Sequence, residues 1–440
     1  MCGIAGFCNF KEDFEENTDY WNFRLEKMRA VLAHRGNDAR GRFLKKHIGL
    51  SHSRLAIRDI LCGDQPMTRT HNGYDYTICY NGEIYNTDEL IPELSENGFV
   101  CSTTSDTEVI LYAYIHWGAD FVSRLNGIFA FAIWDAAKNR LLLYRDRVGV
   151  KPLFYAIRGD SLVFGSEPKA CFAHPAVKPE LDKQGLQELL AIGPAHTSGL
   201  SLFKDLFEVL PGHFMIYSRD GLHDETYWEL TSREHTESYR DTVAHTRFLV
   251  EDAIKRQMVS DVPVCTFLSG GIDSSIVTAI AANYLNTRGK TLNTFSFDFK
   301  DNDRYFKANS FQPERDLPYV NRMLEEYETA HSYLECDENS LFKALFAAVD
   351  AKDMPGMTDV DSSLLYFCSL VSRKNKVALT GECADEIFGG YPWFYRKELL
   401  ERYGFPWSSD VAPRLALLRD DVGLELDLSG YQAFQIGRAH

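Results

Sequence analysis

Short apolar runs separated by turn residues mark the first half of the chain. The runs rich in β-forming residues lie at 4–10, 76–80, 128–134, 141–144 and 161–164. A helical pattern of apolar residues extends over 106–117. Because runs of about four to eight residues bounded by Gly, Asn and Asp are typical of strands, we expect this half to form sheets packed with helices.

The pattern changes beyond a polar, charge-rich segment at 218–241. The elements predicted there are a helix over 243–258, a buried strand at 262–268, a helix over 276–285, a strand at 292–299, helices at 320–327 and 364–372, and a strand at 377–380. A strand, a helix and a second strand in succession form a βαβ unit, which is typical of a parallel sheet covered by helices. We therefore predict two domains, at 1–215 and 241–440, joined by a linker at 216–240.

Composition narrows the possible functions. The 440 residues allow two to three domains at roughly 150 residues each. The net charge of -16 repels phosphate backbones and anionic membranes, so we expect small-molecule substrates and no nucleic-acid partner. No apolar run reaches the 18 or so residues of a membrane helix, and no targeting signal is evident. Ten cysteines without a CxxC pair indicate reduced thiols, which favours a cytoplasmic location.

Cys2 directly follows the initiator Met1. Removal of Met1 would place a thiol and a free α-amine on one residue. An amine with a pKa near 8 can accept the thiol proton, so Cys2 would be a nucleophile that carries its own base. Taken alone, the position is more typical of a small buried hydrophobe at the start of a strand.

Motifs downstream of Cys2 change this interpretation. In chain order they are His34-Arg-Gly-Asn-Asp38, Ser53-Arg-Leu-Ala-Ile57, Asn81-Gly-Glu-Ile-Tyr-Asn86, Thr104-Ser-Asp-Thr-Glu108, Asn126-Gly-Ile-Phe-Ala-Phe-Ala132, Arg145-Asp-Arg-Val-Gly-Val-Lys-Pro-Leu153 and Phe164-Gly-Ser-Glu167. Together they resemble the glutaminase domain of the class II glutamine amidotransferases. This resemblance implies an N-terminal nucleophile hydrolase fold, an αββα sandwich, with Cys2 as the nucleophile.

The resemblance also implies roles for individual residues. Arg54 would bind the α-carboxylate of glutamine, and Asp106 with Glu83 would hold its ammonium group. The Asn81 side chain and the Gly82 amide would donate to the tetrahedral oxyanion. Asn37 stands where the family usually has proline; because Asn also suits turns, we expect a change of local stiffness and no loss of chemistry.

A second set of motifs lies in the predicted parallel sheet. Ser269-Gly-Gly-Ile-Asp-Ser-Ser275 follows a buried strand and opens a helix, an arrangement that suits phosphate binding. With Leu379-Thr-Gly-Glu-Cys-Ala-Asp-Glu-Ile-Phe-Gly-Gly-Tyr391 it resembles the adenine nucleotide α-hydrolase-like fold of the ATP pyrophosphatases. The ATP-binding residues that this resemblance implies are Leu268, Ser269, Gly270, Gly271, Asp273, Ser274, Ser275, Ser296, Thr380 and Gly381. Asp273 and Asp385 would hold Mg²⁺, and Glu382 would act near the acyl-adenylate and ammonia.

The two halves together resemble the glutamine-hydrolysing asparagine synthetases. That family would use glutamine, aspartate, ATP and Mg²⁺ to make asparagine, and a homodimer is a further expectation. Asp359 and Asp361 are candidates for the aspartate pocket, although Asp361 or Ser362 could equally be a helix N-cap. Two alternatives remain open: amidation of another carboxylate, such as a sugar or peptide acid, and glutaminase activity alone.

The C-terminus carries an expectation of its own. The last residues, 436–440, match the translation of a common sequencing-adapter string, so we expect a synthetase domain that is truncated near Phe434 and incomplete at its C-terminus.

Overall fold

The computed structural model describes residues 1–308, 314–401, 405 and 410–439. His440, the last residue of the tail discussed above, lies outside these ranges. The described residues form two compact units. The first comprises Met1–Leu189 and Ala195–Arg233, and the second comprises Leu190–Pro194 and Glu234–His440.

Strands dominate the first unit. They are β1 Gly3–Asn9, β2 Ala39–Lys45, β3 Ile48–Arg54, β4 Met67–His71, β5 Tyr74–Ile84, β6 Gly127–Asp135, β7 Arg140–Arg145, β8 Phe154–Arg158, β9 Ser161–Gly165, β10 Phe207–Glu208, β11 His213–Ser218 and β12 Gly221–Thr226. The α-helices are α1 Thr18–Ala30, α2 Thr87–Glu96, α3 Asp106–Trp117, α4 Pro168–Phe172 and α5 Lys183–Gln187. Short 3₁₀ turns lie at Phe14–Asn17, Ala33–Arg35 and Ala119–Arg124, and a π-helical turn at Glu188–Ile192.

These strands form antiparallel sheets that pack face to face. One sheet has the order β10-β8-β9-β1-β3-β2, and the other has the order β12-β11-β7-β6-β5-β4. Alternate residues of both sheets, including Ile4, Leu50, Cys79, Ala132 and Leu143, fill the layer between them. Helix α1 covers the outer face of the first sheet, and α2 with α3 cover the second. The expected αββα sandwich is confirmed.

The segment that we predicted as a linker, 216–240, is a linker only in part. β11 and β12 form a hairpin at the edge of the second sheet, and a helix begins at Tyr239. Arg219 and Asp220 form the hairpin turn, and the polar side chains of β12 are largely exposed. Because an edge strand pairs through its backbone, a polar and charged sequence does not prevent strand formation there.

The second unit contains the predicted parallel sheet, in the order β15-β14-β13-β16. Its strands are β13 Val264–Phe267, β14 Leu292–Phe299, β15 Thr329–Cys336 and β16 Val377–Leu379. Its helices are α6 Tyr239–Arg256, α7 Ile272–Asn286, α8 Asn302–Tyr305, α9 Leu317–Glu326, α10 Glu338–Lys352, α11 Thr358–Val371, α12 Ala384–Phe388, α13 Lys397–Leu400, α14 Ala412–Leu415, α15 Asp420–Leu426 and α16 Leu428–Ala439, with a 3₁₀ turn at Pro392–Phe394.

Helices cover both faces of this sheet. Ala281 and Ala282 of α7 pack with Val264 and Leu292 on one face, while Phe367 of α11 packs on the other. The start of α11 corrects one alternative from the sequence. The helix begins at Thr358 with Met357 as its N-cap, so Asp361 and Ser362 lie inside the helix and do not cap it.

A buried carboxylate anchors the loop that leads into α3. Glu108 is fully buried and accepts bonds from the backbone N–H and hydroxyl groups of Ser102 and Thr103 and from Arg69 Nε at 2.8 Å. Burial opposes ionisation, but the bonds from Thr103, Arg69 and Ser102 outweigh it and lower the pKa of Glu108 to about 2. This carboxylate therefore fixes the beginning of α3, where Asp106 lies.

We expect Glu108→Gln to lower the free energy of unfolding by about 3 kcal/mol at pH 7, because it breaks a buried charged pair. The folded-state pKa is depressed, so this stabilisation is present above the unfolded pKa and is lost as pH falls towards 2. Denaturant unfolding at pH 7 and pH 3 measures the change. Glu93→Gln, which removes an exposed ion pair with Arg124, is the control and should cost little. Equal losses in the two variants would contradict the assignment.

Candidate active sites

Cys2 lies at the entrance to the layer between the two antiparallel sheets. Gly3 pairs with Ser53 of β3, and Cys2 has the same side-chain parity as Ile4, which faces that layer. The backbone N–H of Leu55 donates to Cys2 Sγ at 3.4 Å. Burial raises the pKa of the Cys2 thiol, and the Leu55 N–H, the terminal amine, Arg54 and Arg35 oppose that rise.

Arg35 holds the backbone of Cys2 in place. Its Nε donates to the Cys2 carbonyl oxygen at 2.8 Å, and its Nη1 donates to Glu167 Oε1 at 2.7 Å. Glu167 also contacts His34 and Lys169 at 3.0 and 2.9 Å. Although burial opposes ionisation, these three partners lower the pKa of Glu167 to about 2, so it is a stable anion.

Close backbone packing sets this arrangement. A Cβ atom at Gly36 would come within 2.3 Å of the Arg54 carbonyl carbon. The motif that contains Arg35 can therefore lie against the end of β3 only with glycine at position 36. From the sequence alone, neither Arg35 nor Glu167 received a role, although each lies in one of the motifs downstream of Cys2.

Asn81 offers an unused hydrogen-bond donor to the same layer. It lies two residues after Cys79, whose side chain is in the layer between the sheets, so its amide faces the same side. Asn81 is 1% exposed, and its Nδ2 has no hydrogen-bond partner among the described residues. A Cβ at Gly82 would meet the Ile128 carbonyl oxygen at 2.3 Å, so only glycine fits there. A buried, unpaired amide is costly unless a ligand uses it, which fits an oxyanion donor.

His52 joins the two sheets beside Asn81, and the sequence reasoning missed it. The fully buried ring places Nε2 at 3.0 Å from the carbonyl oxygen of Tyr80. Burial lowers the pKa of His52 to about 4, so the ring is neutral at pH 7 and Nε2–H donates. This bond fixes the peptide group that precedes Asn81. The available signal was that His52 lies on the same side of β3 as Ile48 and Leu50, so a histidine occupies the apolar side of that strand.

Asp106 and Glu83 are the two carboxylates that we expect to hold a substrate ammonium group. Asp106 Oδ2 accepts bonds from the Tyr80 hydroxyl at 2.8 Å and the Ile84 N–H at 3.0 Å, and Arg58 lies at 3.9 Å. Burial raises the pKa of both Asp106 and Glu83, and the Asp106 charge raises that of Glu83 further. An added cation would relieve this unfavourable pair, which fits the α-ammonium of an amino acid.

In this conformation the Arg54 guanidinium binds other groups of the chain itself. Its terminal nitrogens donate to the carbonyl oxygens of Arg58, Asp59 and Ile60 and to Asp64 Oδ1, the last at 3.1 Å. Its side chain is 6% exposed, whereas that of Asp64 is 76% exposed. Arg54 therefore organises the loop at 58–64. A substrate carboxylate would compete first with Asp64, the weakest held of these partners because it is solvated.

The second unit brings its predicted loop residues to one edge of the parallel sheet. β13 and β16 are neighbours, so the loops that follow them meet at the carboxyl edge, where such sheets bind ligands. Gly270 has a φ of 85°, and a Cβ at Gly381 would meet Asp273 Cβ at 2.7 Å. The loop after β16 therefore lies directly against the first turn of α7.

Hydroxyl groups shape the loop between β13 and α7. Ser274 Oγ lies 3.0 Å from Ser269 Oγ and donates to the Gly271 carbonyl oxygen at 3.1 Å. Ser296 donates to the Leu268 carbonyl oxygen at 2.5 Å from the neighbouring strand. The loop thus presents its backbone at the N-terminus of a 15-residue helix, which favours phosphate.

Asp273 and Asp385 are near neighbours. Burial, and then the charge of Asp385, raise the pKa of Asp273. Two carboxylates that repel each other beside a phosphate-binding loop fit a hard divalent cation such as Mg²⁺. No cluster of three or more His, Cys, Asp or Glu side chains suited to a metal occurs among the described residues. Glu382 lies on the same loop and is exposed.

Family models match both units. A glutamine amidotransferase domain matches residues 1–228, and an asparagine synthase domain matches residues 245–439. Asparagine synthetase [glutamine-hydrolyzing] 3 of Bacillus subtilis is 47% identical over 432 residues, covering 98% of this chain and 69% of that protein. The chain belongs to the glutamine-hydrolysing asparagine synthetase family.

Other relatives show the range of this synthetase family. Asparagine synthetase [glutamine-hydrolyzing] 1 of Bacillus subtilis is 33% identical and matches 91% of this chain and 60% of that protein. Amidase chyE of Penicillium rubens is 32% identical and matches 94% of this chain and 62% of that protein. The chain thus spans about two thirds of the length of the curated relatives it matches.

Asp359 and Asp361, the candidates for the aspartate pocket, have different surroundings in the structure. Asp361 Oδ1 binds Lys352 Nζ at 2.7 Å, and Asp361 Oδ2 is buried with no hydrogen-bond partner in the part of the chain that the structure describes. Asp359 is exposed in the first turn of α11. Asp361 is therefore an anion already paired with a cation, which suits organising a polar pocket more than binding a carboxylate directly.

We expect Asn81→Ala in this synthetase family member to lower kcat for glutamine hydrolysis by about 10²- to 10³-fold, because one oxyanion donor is lost. KM for glutamine should change little, since the donor acts on the transition state. Glutamate release at saturating glutamine measures the effect. Asn97→Ala, at the exposed end of α2, is the control. A KM effect without a kcat effect would contradict the role.

Proposed function

We propose that this chain makes asparagine from aspartate, with glutamine as nitrogen donor and ATP as energy source. The reaction is aspartate + glutamine + ATP + H₂O to asparagine + glutamate + AMP + pyrophosphate. The observation that carries the glutaminase half is the buried, unpaired Asn81 amide facing the layer that Cys2 enters. The 47% identity to a named asparagine synthetase supports the acceptor.

In the first unit, Cys2 would lose Met1 and use its own α-amine as the base. The thiol proton moves to the amine, and the thiolate attacks the amide carbon of glutamine. Asn81 and Gly82 donate to the oxyanion, and the protonated amine returns its proton to the leaving nitrogen as ammonia forms. Water then releases glutamate and regenerates Cys2. Asp106 and Glu83 would hold the substrate ammonium, and Arg54 would bind its carboxylate after displacing Asp64.

In the second unit, the loop from Leu268 to Ser275 would bind the phosphates of ATP, with Ser296, Thr380 and Gly381 completing the nucleotide site. The aspartate side chain attacks the α-phosphorus, pyrophosphate leaves, and ammonia displaces AMP from the resulting acyl-adenylate. Asp273 and Asp385 would hold Mg²⁺, which neutralises phosphate charge when bound. Glu382 would accept a proton from the attacking ammonia.

Amidation of another carboxylate is the second candidate. Relatives of nearly equal identity, 33% and 32%, carry different names, an asparagine synthetase and an amidase. Overall identity in this range therefore does not decide the acceptor. Glutaminase activity alone is a further outcome to be tested. Among the described residues no helix is long and apolar enough to cross a membrane. A cytoplasmic location, a homodimer and the lack of a nucleic-acid partner stay predictions.

We expect Cys2→Ala to abolish glutamate release and glutamine-dependent asparagine formation while ammonia-dependent formation persists. The variant removes the nucleophile of the first unit and leaves the second intact. Amino-acid analysis of both products with ATP and aspartate measures this. Cys62→Ala, an exposed thiol in the same unit, is the control. Loss of both activities would argue against separate sites, and glutamate release by the wild type with no asparagine formed from aspartate and ATP would favour another acceptor.

We expect Asp273→Asn and Asp385→Asn each to reduce pyrophosphate release by at least about 10²-fold, because each removes a charge opposite the phosphates. Glutamate release without ATP should remain. Pyrophosphate release at varied Mg²⁺ concentration measures the change, and Asp303→Asn, on the short helix α8, is the control. Unchanged Mg²⁺ dependence in both variants would exclude these residues as ligands.

A further inference from the structure

Lys151 is a buried cation beside the N-terminus that the mechanism above does not use. It is 7% exposed. Its backbone is held on both sides, because its N–H donates to Asp146 Oδ2 at 2.9 Å and its carbonyl accepts from Arg145 Nε at 3.1 Å. A lysine is seldom buried without a partner, so its position requires an explanation.

The side chain of Lys151 reaches Met1. Its Nζ lies 3.0 Å from Met1 Sδ, and no carboxylate lies within 4.0 Å of Nζ among the described residues. A thioether is a weak acceptor that cannot balance an ammonium group. The ammonium therefore acts on its surroundings through its field, which reaches both the Met1 α-amine and Cys2.

Charges from several segments converge on the chain terminus. Arg35 donates to the Cys2 carbonyl oxygen, and Arg54 lies at the end of β3. Glu83 comes from β5, and Asp146 and Lys151 come from the turn after β7. The pKa of the Met1 α-amine is lowered to about 5, chiefly by burial; the charges of Arg35 and Lys151 act in the same direction, and those of Cys2 and Glu83 oppose it. Burial likewise lowers the pKa of Lys151 to about 8, so Lys151 is charged below that pH.

We propose that Lys151 is a positioning residue of the glutaminase site, whose ammonium charge keeps the α-amine of processed Cys2 in the neutral form that accepts the thiol proton. An ammonium near a second cation is disfavoured, so the amine stays free at neutral pH. The same charge favours the thiolate once the S–H proton has moved to nitrogen. The inference rests on the proposed role of Cys2.

The test is the pH dependence of kcat/KM for glutamine hydrolysis. Lys151→Met removes the charge at nearly constant volume, and Lys151→Arg keeps it. The acidic limb of the profile is the range in which kcat/KM falls as the pH decreases. We expect this limb to lie about half to one pH unit higher in the Met variant than in the wild type. At pH values below the limb, kcat/KM of the Met variant should then be about three- to tenfold lower. The Arg variant should keep the limb of the wild type.

Two controls show whether the effect is specific. Lys138→Met removes an exposed lysine of the first unit and should leave the profile unchanged. Ammonia-dependent asparagine formation in Lys151→Met should equal that of the wild type, which shows that the second unit is unaffected, and an unchanged kcat/KM for glutamine above the limb shows that the first unit folds. A shift of equal size in the Met and Arg variants would overturn the role of charge, as would an unchanged limb in the Met variant.

A measurement on the wild type needs no variant. Protein labelled with ¹⁵N-cysteine should show an α-amine pKa for Cys2 below the ordinary value near 8. A value at or above 8 would overturn the proposal. Failure of the proposed function is separate: it would appear as continued glutamine use by Cys2→Ala, whereas failure of this inference leaves that variant inactive and the Lys151→Met profile unchanged.

Discussion

The packing of two antiparallel sheets across one apolar layer is the constraint on which the glutaminase site depends. Cys2 enters that layer from β1, and Asn81 faces it from β5. Because side chains alternate along a strand, a one-residue shift in either register would turn one of these groups away. The His52 bond to the Tyr80 carbonyl joins the sheets at this point and holds the two strands in that relation.

The site collects charges that are individually unfavourable. Asp106 is a buried acid and Glu83 a partly buried one, and both have raised pKa values, whereas Lys151 is a buried base with a lowered one. Glu167 shows the opposite behaviour, because it is fully paired with Arg35 and its neighbours. Glu167 is thus balanced by its neighbours, whereas Glu83 and Asp106 repel each other and Lys151 has no carboxylate partner among the described residues. A substrate that carries both an ammonium and a carboxylate would balance them.

The candidate site of the second unit depends on the order of its parallel strands. Neighbouring parallel strands place the loops after β13 and β16 at one edge, and small residues let them touch. Asp273 lies in the first turn of α7, after β13, and Asp385 lies in α12, after β16, more than a hundred positions apart in the chain. The sheet order, and not their spacing in sequence, places one beside the other.

The pattern of the sequence by itself indicated a strand-rich half, a half with a parallel sheet and the helix at 106–117, while the resemblance of its motifs to known families implied the αββα sandwich and the site residues around Cys2 and Ser269. Periodicity and glycine positions are local, so they can be read without tertiary contacts. It did not reveal the hairpin of β11 and β12, whose polar residues pair through the backbone. Tertiary structure alone decided that Arg54 binds its own loop, that His52 donates to the Tyr80 carbonyl oxygen and that Lys151 is buried beside Met1. Burial and charge pairing arise only when distant segments meet, so no local pattern encodes them.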